Sequence, residues 1–301
     1  MWIPTLATAR EMVASRSGTL PQQLAAADVL VAHAELDAAD RILATLRVPD
    51  SAQPIVQRLM AVSARLRKFD APQKLAAMAD VVARFSRPDE LIDIAREHGS
   101  GTIVVFSDVT RRFWLSLPVL HLFLAPFGRR VLYLKDVRGS MFLGGLAAFG
   151  QTYADTLRQL EGLLGPQRRE GLHVMTSSAG GFVGLRAAAD LGAAGFLGFS
   201  PGTDLSPGSA LPLDRLAGGL RERDEHPGML IDLRPYLEPR QFPVKATIYC
   251  SSANRLDFAH SDNLRGLRGV RLEFIESASH NVVQHLVAAG TFADALEDFL
   301  R

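Results

Sequence analysis

The sequence predicts an α/β protein: a mostly parallel, doubly wound sheet of about six strands, preceded by an all-α N-terminal segment. Three observations carry this. Beyond residue 100, short apolar runs closed by turn residues alternate with amphipathic stretches of about ten residues, the pattern of strand–helix–strand units with right-handed crossovers. Before it, the chain is rich in alanine and leucine and shows no such alternation. With 301 residues and 48% hydrophobic content, the chain can bury a large core, which suits one helical segment and one α/β domain.

In order, Pro21 to Leu46, Pro54 to Arg67 and Pro72 to Phe85 read as helical runs. Pro21, Pro54 and Pro72 fit helix starts, where the missing N–H has no intrahelical acceptor to lose. The pattern suggests two or three helical hairpins, loosely like tetratricopeptide repeats but without a fixed period. Residues 1–98 are therefore expected to form a helical cap on the domain that follows, with a partner-binding module as the sharper alternative.

Residues 99–301 supply the sheet. Strands are expected at Gly101 to Phe106, Val131 to Leu134, Leu172 to Met175, Gly195 to Phe199, Val244 to Cys250 and Val270 to Ile275. Helices are expected at Leu115 to Phe127, Thr152 to Leu164, Phe182 to Leu191 and from Val282 to Leu300. Between Pro201 and Pro243 the alternation breaks into a segment rich in proline, glycine and charge, with a short helical patch at Leu213 to Arg221. Residues 202–243 are read as a lid, against the plainer alternative of a surface loop.

One turn points to chemistry. Met175-Thr176-Ser177-Ser178-Ala179-Gly180-Gly181 places a serine among small residues between a strand and a helix. A strained turn of this kind lifts the hydroxyl above the sheet and aims the following backbone N–H groups at the same point. Ser178 is the candidate nucleophile. The pattern G-x-S-x-G is met only in its second half, because Thr176 stands where a glycine is usual, and the threonine fits only with extended dihedrals. Hydrolases with such turns carry serine, acid and histidine in that order. Here Asp257 follows the strand ending at Cys250, and His280 follows the one ending at Ile275. In a doubly wound sheet all three loops open on one edge. A serine hydroxyl needs an imidazole to take its proton, and the imidazole needs a carboxylate to orient it and stabilise its cation. Asp204 is the main alternative acid, Asn254 an alternative neutral orienter, and Asp262 lies too far into the next helix. His260 and His285 are read as packing or surface residues. Oxyanion donors are expected at the N–H of Ala179 and of Val109, the latter in the loop after the first strand.

From about Gly101 to Arg301 the chain resembles the α/β-hydrolase superfamily. Thr176-Ser177-Ser178-Ala179-Gly180-Gly181-Phe182, Phe199-Ser200-Pro201, Leu256-Asp257-Phe258-Ala259-His260 and Ser279-His280-Asn281-Val282-Val283 are similar to bacterial hydrolase-like proteins. Some of these have helical N-terminal extensions and associate with surface-glycan systems. The family's two leading antiparallel strands find no counterpart, so a truncated sheet is expected. The expected activity is a cofactor-independent serine esterase or thioesterase working through an acyl-enzyme on a small-molecule acyl substrate. An acyltransferase using the same three residues, or a catalytically silent scaffold acting through the N-terminal helices, are the alternatives.

Composition excludes other classes. Thirty-three basic and 32 acidic residues leave a net charge of +1, which implies neither nucleic acid nor an anionic membrane as partner. One cysteine, Cys250, allows no internal disulfide. The apolar run from Phe113 to Phe127 is too short to span a bilayer, and no secretory leader is evident, so a cytoplasmic location is expected. No histidine, cysteine and carboxylate cluster has metal-ligand spacing, and no glycine-rich loop fits a nucleotide. No cofactor or metal is expected.

Overall fold

A computed structural model describes residues 3–15, 17–95, 101–165, 171–209, 226–240 and 245–301. The described elements are, in chain order, α1 (Leu6–Ser15), α2 (Leu20–Ala32), α3 (Leu36–Thr45), α4 (Gln53–Lys68), α5 (Ala71–Ala77), α6 (Ala79–Phe85), β1 (Leu91–Ile94), β2 (Thr102–Phe106), α7 (Leu117–Leu124) and β3 (Arg130–Leu134). They continue with α8 (Tyr153–Leu164), β4 (Leu172–Ser177), α9 (Gly180–Asp190), β5 (Gly195–Phe199), α10 (Leu233–Leu237), β6 (Lys245–Ser251), α11 (Arg255–Asp262), β7 (Val270–Ile275), α12 (Val282–Ala289) and α13 (Phe292–Leu300). Two compact units result. One is Met1–Ser86 with Trp114–Pro126 and Val283–Ala295; the other is Arg87–Phe113, Phe127–Val282 and Leu296–Arg301.

The first unit is helical. Pro21, Pro54 and Pro72 stand in the first turns of α2, α4 and α5. At the start of α2, the Gln22 side chain accepts from the Thr19 N–H at 2.8 Å, satisfying a backbone donor the helix leaves open. Leu36, Ala39, Ile42 and Leu43 make one buried stripe on α3. Leu30, Leu36, Leu59 and Leu66 are fully buried, each contributing roughly 2 kcal/mol by removal of apolar surface from water. Phe69 stacks on Phe123 at 4.6 Å, and Phe123 meets Phe292 edge-on at 5.2 Å. The helical pattern expected from Val282 to Leu300 is two helices, α12 and α13, parted at Gly290, whose φ of 82° is left-handed.

The second unit is built on a seven-stranded sheet in the order β1-β3-β2-β4-β5-β6-β7, all parallel except β1 against β3. The expectation of about six strands missed β1, which supplies one antiparallel strand where two leading antiparallel strands were expected to have no counterpart. Leu91-Ile92-Asp93-Ile94 is only four residues long, lies inside the stretch read as helical, and becomes a strand by pairing with β3 from Leu91↔Leu134 to Ile94↔Val131. Arg130 on β3 fastens it, donating from Nε to Asp93 Oδ1 at 3.0 Å. β4 is buried along all six residues, as a central parallel strand covered on both faces should be. Connections run outward from β2 to β3 and then back across β2 to β4. The chain therefore reverses direction between β2 and β4, and the crevice beyond the carboxyl ends of these strands is where a doubly wound sheet receives ligands.

Candidate active site

Ser178 sits one residue past β4, at the reversal point. Its φ is 51°, a conformation that costs a non-glycine residue about 1–2 kcal/mol. Two short bonds hold the turn there: Ser178 N–H donates to Phe199 O on β5 at 2.9 Å, and Gly181 N–H donates to Ser178 O at 2.8 Å. The small neighbours are required by contact. A Cβ on Gly180 would fall 2.5 Å from Ser107 O, at the end of β2, and one on Gly181 would strike Pro201 after β5.

Thr176, the departure from the usual pattern, lies inside β4 with the extended backbone it needs. Its side chain is fully buried, and Cγ2 occupies the space that a Cβ on Gly184 would take. The glycine missing before the serine is thus matched by one on the first turns of α9. Thr176 Oγ1 and Ser177 Oγ are buried with no hydrogen-bond partner among the described residues, so Ser177 points into the interior.

The structure brings Ser178, His280 and Asp257 into one hydrogen-bonded chain. Ser178 Oγ lies 2.7 Å from His280 Nε2, and His280 Nδ1 lies 2.6 Å from Asp257 Oδ1. The Asp257 side chain is 2% exposed and that of His280 is 35% exposed, so the chain runs from interior to surface. With the carboxylate accepting from Nδ1–H, Nε2 is left to accept the serine proton.

Each member is held by its element. Asp257 is in the first turn of α11, which begins at Arg255. Asn254 caps that helix, accepting from Asp257 N–H at 3.3 Å, and its Nδ2 donates to Ala278 O at 3.3 Å. It therefore ties the helix of the acid to the loop of the histidine and does not take the acid's place. The loop before α12 is braced further by Ser251, whose hydroxyl donates to Ser279 O, and by Val282 N–H on His280 O at 3.1 Å.

Asp204, the alternative acid, is engaged elsewhere. It accepts from Ser206 N–H at 2.9 Å and from the Ser206 hydroxyl at 2.6 Å. Burial alone would push its pKa up, but the hydrogen bonds from Ser206 and Ser209 outweigh it and hold the group below the usual carboxylate range. Asp262 closes α11 and pairs with Arg265 on the surface. His260, one turn after Asp257, is buried, and its Nδ1 accepts from Thr203 N–H at 3.1 Å; burial holds it below the ordinary imidazole value.

Ala179 is the N-cap of α9, so its N–H opens the row of amides with no partner inside the helix. Val109 stands at the exposed tip of a tight turn built around buried Asp108, whose Oδ1 accepts from Thr110 N–H at 2.7 Å and Arg112 N–H at 3.2 Å. Burial pushes the Asp108 carboxyl up. The loop after β3 closes on itself likewise: Asp136 accepts from the N–H groups of Arg138, Gly139 and Phe142 at 3.0–3.1 Å.

Of the expected lid, residues 210–225 and 241–243, including the patch Leu213 to Arg221, lie outside the described residues. Its two described limbs are zipped together: Leu205 N–H donates to Ile231 O and Leu233 N–H to Thr203 O, at 3.1 and 2.8 Å. Asp190 at the end of α9 anchors the returning limb by accepting from Tyr236 at 2.5 Å, while also accepting from Tyr153 at 2.7 Å. Among the described residues no group of three His, Cys, Asp or Glu side chains is placed to hold a metal ion, and no helix is long and apolar enough to cross a membrane.

One residue of this site went unread in the sequence. Ser200, one residue past β5, donates to Asp257 Oδ2 at 3.1 Å. The only sequence signal was its place in Phe199-Ser200-Pro201, directly after a strand.

Strand order and turn together define the class: the second unit is an α/β-hydrolase-type core with its serine turn after β4. No family model matches the sequence, and no curated protein is similar to it. Solved structures similar to it include a carboxylesterase of the thaumarchaeon Nitrososphaera gargenis, 13% identical, covering 71% of this chain and 96% of its own, with a TM-score of 0.48. The capsule O-acetyltransferase of Neisseria meningitidis serogroup A is 13% identical over 70% of this chain and 92% of its own, TM-score 0.48. Dienelactone hydrolase from Anabaena variabilis is 14% identical over 70% and 92%, TM-score 0.45. At these identities and scores the likeness bears on neither mechanism nor substrate.

Proposed function

We propose that this protein is a serine hydrolase that cleaves an ester or thioester through an acyl-enzyme on Ser178. The observation that supports this best is the continuous chain Ser178–His280–Asp257 ending on a serine at positive φ. A base within hydrogen-bond reach of the hydroxyl is what activates a serine nucleophile, and strained backbone of this kind clusters at functional sites.

In the first half-reaction Ser178 Oγ attacks the acyl carbon while His280 Nε2 takes its proton. The carbonyl oxygen gains the charge and meets the N–H of Ala179 and, in this reading, of Val109. The imidazolium, stabilised by Asp257 through Nδ1–H, gives the proton to the departing alkoxide or thiolate. In the second half-reaction His280 takes a proton from water as the water oxygen attacks the acyl-enzyme, and then returns it to Ser178. The same steps with an alcohol in place of water give acyl transfer.

The test is intact-mass detection of fluorophosphonate addition to the purified protein. One adduct per chain is expected on the wild type and none on Ser178→Ala or His280→Ala. A folded wild type that takes no probe of any size overturns the proposal in favour of a silent scaffold.

A further inference from the structure

Among the described residues, two serines have positive φ: Ser178 at 51° and Ser200 at 48°. They follow neighbouring parallel strands, β4 and β5, and their turns interlock, since Ser178 N–H binds Phe199 O and Gly181 packs against Pro201. Ser200 is held against two preferences. A side chain disfavours positive φ, and the ring of Pro201 favours an extended backbone in the residue before it. The turn survives because Ser200 N–H donates to Tyr249 O on β6 at 2.8 Å and the residue is buried.

The cost places one atom. Ser200 Oγ reaches Asp257 Oδ2 at 3.1 Å and His280 O at 3.4 Å. A hydroxyl has one proton, and the shorter bond, to the charged acceptor, is the stronger. Asp257 is then gripped at both oxygens, Oδ1 by His280 and Oδ2 by Ser200. One bond alone would let the carboxylate rotate about its Cβ–Cγ axis. Two bonds on different oxygens fix its plane, and with it the ring of His280.

Building on the reading of Asp257 as the orienting acid, we infer that Ser200 is a positioning residue, which orients the acid through its hydroxyl without touching substrate. Strain and hydroxyl are separable by substitution. Ser200→Gly removes the hydroxyl and relieves the backbone; Ser200→Ala removes the hydroxyl and keeps the strain.

The experiment compares wild type, Ser200→Ala and Ser200→Gly in three readouts: the maximal rate and half-saturation of fluorophosphonate labelling, the downfield NMR signal of the His280 Nδ1 proton, and the melting temperature. Both variants are expected to label about tenfold more slowly, the effect of losing a hydrogen bond to a charged group, with half-saturation unchanged. The proton signal should move in both, and Ser200→Gly should melt no lower than wild type. A Ser200→Gly protein with wild-type rate and an unmoved proton signal overturns the inference, because the turn and not the hydroxyl would then be what the site uses. A wild type that takes no probe sinks the hydrolase reading instead. The proton signal then decides alone: movement in both variants upholds the role of Ser200 and no movement ends it.

Discussion

Two polar constellations in this molecule, each containing a histidine and an aspartate, use them to opposite effect. At the sheet edge, Ser178, His280, Asp257 and Ser200 form a chain with two members on strained backbone, and its histidine is about one third exposed. In the helical unit, Gln284 is fully buried, donates to Asp28 Oδ1 at 2.6 Å and accepts from Arg58 Nε at 3.3 Å, while Arg58 Nη1 lies 3.4 Å from His285 Nε2. Those four residues stand on the regular helices α2, α4 and α12, with no positive φ among them. Burial, with the charge of Arg58 adding to it, pushes His285 down to about 4 and keeps it neutral. In the proposed function, the histidine bonded to a hydroxyl on a strained turn is the one that moves a proton. A histidine beside a guanidinium between regular helices is poised to hold its place.

The largest effect expected from breaking this contrast comes from Gly184. Gly184→Ala sets a Cβ against Thr176 Cγ2, with the Phe106 ring at 3.1 Å on another side, and overpacking of this kind costs about 1–3 kcal/mol. Because Thr176 is two residues from Ser178, fluorophosphonate labelling should fall together with the melting temperature. Thr176→Ser removes Cγ2, so the double variant should recover both; a Gly184→Ala protein as stable and reactive as wild type would show that the threonine needs no such space. Gln284→Ala is next. It strips Asp28 and Arg58 of a shared partner and should lower stability in urea by about 1–3 kcal/mol. Labelling per folded molecule should be unchanged, and a loss of labelling in fully folded protein would erase the distinction between the two constellations.

What was legible follows the range of the forces involved. The parallel strands and their helices could be read because each carries its own apolar periodicity, and Ser178 because its small neighbours are consecutive. Asp257 and His280 could be placed because the loops of a doubly wound sheet open on one edge. β1 could not be read: Leu91 to Ile94 has four residues, and its pairing with β3 begins 37 residues further on, at Val131. The break between α2 and α3 was hidden because the residue at φ 58° is Ala34 and not a glycine. Ser200 was hidden because its role depends on a carboxylate 57 residues away. The compensation of Thr176 by Gly184 spans eight residues across a turn, a distance at which no sequence periodicity applies.

The smallest predicted effect is the most selective, because it reads a single proton in the helical unit. His285 has a folded pKa of about 4 against an ordinary 6.5. Between those values the unfolded chain binds a proton that the folded chain does not, so stability is full above pH 6.5 and is lost as pH falls towards 4. His285 is only partly buried, so screening by solvent reduces the loss to on the order of 1 kcal/mol. His285→Gln keeps an acceptor for Arg58 and removes the titration. Melting temperatures at pH 7.5 and pH 5 should therefore drop further in wild type than in the variant. Equal drops would mean that His285 takes up its proton in the folded state as readily as in the unfolded one. The contrast between the two constellations would then rest on backbone strain alone.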